Sequence, residues 1–140
     1  PPAPQVASLL LNGGFEQQKD GWLDCSADTL TAPTTDALIG NGALEISNAG
    51  CLYQEVQISP GAQYKFHCSA KSAGTAYTSM TVQITNATRT QLKAVEVPVG
   101  NTVYKSYETV LTAPADSVHS ALTLYSEDPG TFDNCFIETL

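Results

Sequence analysis

The sequence predicts an all-β fold, a two-sheet antiparallel β-sandwich. Three observations carry that reading. Apolar and polar residues alternate with period two over seven or more short segments. Gly, Pro, Asn and Asp turns separate those segments. No window of about 12 residues places apolar side chains at i, i+3, i+4 and i+7 behind an N-cap. The chain has 140 residues, 42% of them hydrophobic, which suits one domain around one core.

The strands follow in order. Residues 51–58, CLYQEVQI, put Leu52, Gln54, Val56 and Ile58 on one face, and Ser59-Pro60-Gly61 turns the chain. In 63–71, Tyr64, Phe66, Cys68 and Ala70 share a core face, while Lys65, His67, Ser69 and Lys71 point to solvent. Residues 79–86 alternate Met80, Val82 and Ile84 with Ser79, Thr81, Gln83 and Thr85. Segments 91–99, 104–112, 120–126 and 131–140 continue the pattern. One polar face per strand is what a half-solvated sheet requires. The Thr-rich stretch 29–37, TLTAPTTDA, reads as a surface loop. Asn86-Ala87-Thr88 is a glycosylation sequon that reads first as a turn.

Charge excludes whole classes of partner. Six Lys plus Arg against fourteen Asp plus Glu leave a net charge of −8. Such a surface repels nucleic acid and anionic lipid, and disfavours polyanionic sugars. No apolar run approaches the ~18 residues of a membrane span. The opening PPAPQ predicts a Pro-rich linker over residues 1–6, with the module at 7–140.

Four cysteines, Cys25, Cys51, Cys68 and Cys135, lack the CxxC pairs of a zinc site. Their even number in a weakly charged chain points to disulfides and an oxidising compartment, with three pairings open. Four buried thiols are the alternative. Catalytic sets are missing. There is no G-x-S-x-G elbow, a Cys–His pair would be lost to disulfides, and Glu127-Asp128 sits in a Pro-Gly turn.

An ordered set of motifs is more specific. Asn12-Gly13-Gly14-Phe15-Glu16, Gly21-Trp22, the Gly-flanked turn into a strand at 39–46, the strand–turn–strand of 53–72, Thr112-Ala113-Pro114 and Phe132-Asp133-Asn134 succeed one another from Leu9 onward. This order resembles the β-jelly-roll carbohydrate-binding modules of families four, nine, sixteen and twenty-two, which are galactose-binding-domain-like. Two departures stand out: Asn134 replaces a second aspartate, and Tyr104 stands where Trp is usual.

The resemblance carries several implications. It implies the pairs Cys25–Cys51 and Cys68–Cys135. It implies a structural calcium held by Glu16 and Asp133, with Gly14 and Asn41 in the turns that aim oxygens inward, since calcium takes six to eight hard oxygens. Phe15 and Trp22 match core positions of the family. The implied function is non-catalytic: binding of a polysaccharide through an open groove or loop edge, on behalf of a covalently linked catalytic domain in a secreted polysaccharide-degrading enzyme. Tyr53 and Tyr125 are the candidate stacking rings, with Gln83, Glu127 and Arg89 as polar contacts and Tyr77 on the loop edge; Tyr53, Tyr125 and Gln83 face away from the apolar side of their strands. A neutral β-linked glycan fits the acidic balance. The rival reading is a structural or adhesive sandwich of a cell-surface protein with no sugar site. A small lyase or esterase ranks third for want of a catalytic set.

Overall fold

A computed structural model describes residues 8–25, 30–74 and 77–140. The predicted linker, 1–6, lies outside them. Ten strands form two five-stranded antiparallel sheets, and the described residues include no helix. The strands are β1 Leu23–Asp24, β2 Leu30–Thr34, β3 Ala43–Ser47, β4 Gly50–Gln57, β5 Gln63–Ser72, β6 Thr78–Thr85, β7 Gln91–Pro98, β8 Lys105–Thr112, β9 His119–Ser126 and β10 Gly130–Thr139. The first sheet runs β1-β4-β9-β6-β7 and the second β2-β3-β10-β5-β8.

Period-two alternation fills the space between the sheets. Leu52, Met80, Val82, Ile84, Leu122 and Leu124 descend from the first sheet; Leu44, Ile46, Phe66, Ala70, Phe132 and Ile137 rise from the second. Phe15 and Trp22 pack as a tilted pair 5.1 Å apart in the same core, as the resemblance implied. Gln54, phased with the core residues, is buried because its amide clasps the backbone of Leu11, accepting from its N–H at 2.7 Å and donating to its carbonyl at 2.9 Å.

Two expectations are corrected. The stretch 29–37 is not all loop: β2 pairs with β3 through Leu30–Thr34, and Pro33 is tolerated because β2 is an edge strand. Nor is the outer face of β5 solvated throughout. His67 is buried against Phe136, with ring centroids 4.5 Å apart, and Ser69 lies opposite the buried Asp133. Burial holds the His67 imidazole below its ordinary pKa.

The reason for the His67 burial is a β-bulge in β10. Its register against β5 shifts between Asp133 and Phe136, and Asn134 adopts φ 51°. One extra residue reverses the phase of the strand. Phe132 faces the core, Asp133 faces out, and then Cys135 and Ile137 return inward while Phe136 covers His67. Cys135 thereby reaches Cys68, with Cα atoms 4.1 Å apart, and Cys25 bonds Cys51 at 5.4 Å. No free cysteine remains.

Removing the buried bond by Cys68→Ala with Cys135→Ala is expected to cost about 2–4 kcal/mol, read from guanidinium unfolding, because the reduced chain regains loop entropy when unfolded. Four alkylatable thiols in the unreduced protein would contradict both bonds.

Candidate carbohydrate-binding face and carboxylate cage

The outward side chains of the first sheet form rows fixed by strand register. Tyr53, Thr123, Thr81 and Glu96 make one row across β4, β9, β6 and β7. Cys51, Tyr125 and Ser79 make the next, and Glu55, Ala121 and Gln83 lie on the other side. Small residues in the middle and large ones at the margins create a trough of about 310 Å³, lined by Cys51, Tyr77, Ser79, Thr81, Gln83, Glu96, Thr123 and Tyr125.

Three of the six residues expected to contact ligand, Gln83, Tyr125 and Tyr77, line this trough together. Tyr53 stands beside it, opposite Thr123. Glu127 adjoins it by accepting a hydrogen bond from the Tyr125 hydroxyl at 3.4 Å. Arg89 is set apart in the β6–β7 turn, where it pairs with Glu55. Glu96, Thr123 and Ser79 were not singled out as ligand contacts. The outward phase shared with Gln83 and Tyr125 is the signal that would have found Ser79 and Thr123, whereas Glu96 needs the β6–β7 register.

The two trough phenols are donors held by acids. Tyr77 donates to Glu96, and the Tyr77 and Tyr125 rings stand 6.2 Å apart, tilted by 47°. Burial, reinforced by Glu96 for Tyr77 and by Glu127 for Tyr125, pushes both phenols up, so both stay protonated at neutral pH. Aromatic rings beside hydroxyls and an amide can stack on a pyranose face and hydrogen-bond its rim.

A second polar cluster lies on the other sheet. Glu16 accepts from the Asn41 and Gly42 amides, each at 2.7 Å. Asp133, fully buried, accepts from Leu38 and Ile39 at 2.9 Å and from Asn134 at 2.7 Å. Burial raises the Asp133 pKa, and the Glu16 charge adds to the shift. Asn41 thus meets Glu16 through its amide, while Gly14 lies beside the Glu16 side chain. Neither acid pairs with a Lys or Arg among the described residues. Five N–H groups occupy five of the roughly eight lone-pair sites on the two carboxylates, so hard oxygens remain for a cation. The Phe15 carbonyl adds another at the same place, only 2.5 Å from where a Gly42 Cβ would lie. No cluster of three His, Cys, Asp or Glu occurs among the described residues, so further ligands to a cation here would be carbonyl, hydroxyl or water oxygens. Hard oxygens of this kind are what calcium takes.

Over residues 7–131 the sequence matches the carbohydrate binding domain family CBM_4_9. The chain belongs to that family. It is a carbohydrate-binding module, and a non-catalytic one. A search of curated proteins finds no match. Among solved structures, the enzymatically active domain of tailspike protein 4 from bacteriophage CBA120 superposes with a TM-score of 0.79 at 16% identity, covering 95% of this chain and 21% of that one. The CBM22-1–GH10 modules of Clostridium thermocellum xylanase 10B, complexed with xylohexaose, give 0.75 at 18%, covering 96% and 29%. The CBM22-1 xylan-binding domain of Paenibacillus barcinonensis Xyn10C gives 0.72 at 15%, covering 98% and 97%. The first two are much longer than this module, which spans under a third of either. At these low identities the superpositions show a shared fold.

The cage makes a prediction about glycines. Gly40 has φ +71° and an added Cβ would lie 2.1 Å from Glu16 Oε1, whereas Gly61 has φ +80° and open space around it. Both Gly→Ala changes strain the backbone. Gly40→Ala is expected to exceed Gly61→Ala, costing more than about 1 kcal/mol in chemical denaturation; equal costs would show that the Glu16 contact does not matter.

Proposed function

We propose that this module binds a neutral β-linked polysaccharide in the trough of the first sheet, and that it serves a catalytic domain joined to it in a secreted enzyme. The observation that carries the reading is the convergence of Tyr77, Tyr125 and Gln83 on one trough in a chain of the carbohydrate binding domain family. Two disulfides suit an oxidising, extracellular setting. Xylanase modules among the similar folds, one complexed with xylohexaose, support a polysaccharide ligand and a linked hydrolase.

Stacking supplies most of the affinity in this arrangement, and side-chain hydroxyls and the Gln83 amide set orientation. Loss of the Tyr125 ring is expected to cost on the order of 1–3 kcal/mol, by analogy with base–aromatic stacking, which is roughly a 5- to 150-fold rise in Kd. Calorimetry of Tyr125→Ala and Tyr53→Ala against the best glycan-array hit measures it. Unchanged affinity in both, with intact circular dichroism, would move the site off this face.

We also propose that Glu16 and Asp133 hold a structural calcium with backbone carbonyls. The ion offsets the two adjacent negative charges and joins the N-terminal segment to β10. A ligand bound only by the folded state stabilises it. Calcium is therefore expected to raise the melting temperature over that in EDTA, and Glu16→Ala is expected to remove the difference. Identical melting in calcium and EDTA would exclude the site.

A further inference from the structure

We infer that the trough recognises the end of a glycan chain, because it is walled at its tyrosine end. The inference rests on the glycan-binding reading above and goes beyond it by naming which part of the chain enters.

The wall is visible in exposure along β6. Ser79, Thr81 and Gln83 all project outward from the first sheet. Outward residues on the same strand would share a similar exposure on an open face. Instead Ser79 is only 2% exposed, Thr81 is half-buried and Gln83 is exposed. Two phenols account for the difference. Tyr125 sits beside Ser79 in the same cross-strand row, and Tyr77, two residues before Ser79, reaches Glu96 on β7. With ring centroids 6.2 Å apart, they close that row from β9 to β7. Each phenol is tethered to a carboxylate, Tyr77 to Glu96 and Tyr125 to Glu127.

The sides are bounded as well. In the next row Thr123 and Thr81 form a low floor between Tyr53 on β4 and Glu96 on β7. The remaining direction, toward Gln83 and Ala121, has no such barrier. Beyond it lies the Arg89–Glu55 ion pair, whose side chains are 61% and 32% exposed. An ion pair exposed in this way is screened by water and does not hold a wall. From Ser79 to Gln83 the floor is roughly 13 Å long at the usual rise per residue in a strand. A chain entering from Gln83 therefore stops at the tyrosines after a few sugar rings. An internal segment, which must leave at both ends, would have to displace both phenols and uncover Ser79.

The test counts binding sites per mass of polymer. The probes are xylan, glucomannan and mixed-linkage β-glucan, each intact and after partial hydrolysis to known mean lengths, titrated calorimetrically. For whichever probe binds, halving the chain length at constant mass is expected to double the number of sites, and the affinity of its oligosaccharides is expected to level off within a few sugars. Site numbers independent of chain length would overturn the inference while leaving glycan binding intact. Binding to none of these probes, nor to any glycan of a broad array, would overturn both. Tyr77→Ala removes one half of the wall and is expected to raise the number of sites on intact polymer. Tyr77→Phe keeps the ring and is expected to preserve the dependence on ends, which separates wall from hydrogen bond. If Tyr77→Ala, folded by circular dichroism, still counts only ends, Tyr77 is not the barrier and the inference fails as stated.

Discussion

One extra residue in β10 organises half of this molecule. Without the bulge at Asn134, period two would carry Cys135 and Ile137 to the outer face and bring Phe136 into the core. With it, Cys135 meets Cys68, Ile137 enters the core and Phe136 shields His67. The bulge also brings the Cys135 backbone against Gly13, whose carbonyl accepts from the Cys135 N–H at 2.8 Å. A Cβ at Gly13 would lie 1.8 Å from the Cys135 carbonyl oxygen, so only glycine fits there. Because Glu16 follows three residues later, the same contact sets the N-terminal segment over the Asp133 cage. A backbone irregularity in a central strand thus fixes a disulfide, a glycine and a pair of carboxylates together.

Much of this architecture was legible because burial on one face of a strand imposes alternation. The seven strands from residue 51 onward read directly from apolar phase, and Trp22 and Phe15 fell in the core as the motif order implied. The rest was hidden for physical reasons. β2 is an edge strand rich in Thr and interrupted by Pro33, so its composition is that of a loop. The strand over 131–140 was legible but the bulge inside it was not, because Phe132-Asp133-Asn134-Cys135-Phe136-Ile137 has no single period. Of the trough, Gln83 and Tyr125 were visible as outward residues on separate strands. Their meeting depends on β9 lying between β4 and β6, which is a property of topology and not of local sequence.

The two outer faces have been put to opposite uses. On the second sheet, the loop from Asp36 to Gly42 lies against the strands. Asp133 takes the amides of Leu38 and Ile39, Tyr104 donates to the Asp36 carbonyl at 2.6 Å, and Lys71 pairs with Asp36 while lying over the Tyr104 ring. These contacts satisfy the polar groups of that face internally, as buried polar groups require. On the first sheet, the side chains of Thr81, Gln83 and Thr123 find no hydrogen-bond partner among the described residues and are left to solvent or to a ligand's hydroxyls.

That asymmetry explains why stability and recognition can be separated in this fold. The covered face carries the buried Asp133 and the buried Cys68–Cys135 disulfide, where any change disturbs packing and charge. The open face carries small and planar polar residues whose replacement leaves the core rows untouched. The obstruction at its end is the pair of phenols, and these are anchored by Glu96 and Glu127, which belong to the edge strand β7 and to the β9–β10 turn. The shape of the groove is therefore decided at elements that the core does not depend on. A sandwich built this way can alter which stretch of a glycan it accepts by changing a loop residue such as Tyr77, while β4, β9 and β6 continue to supply the same floor.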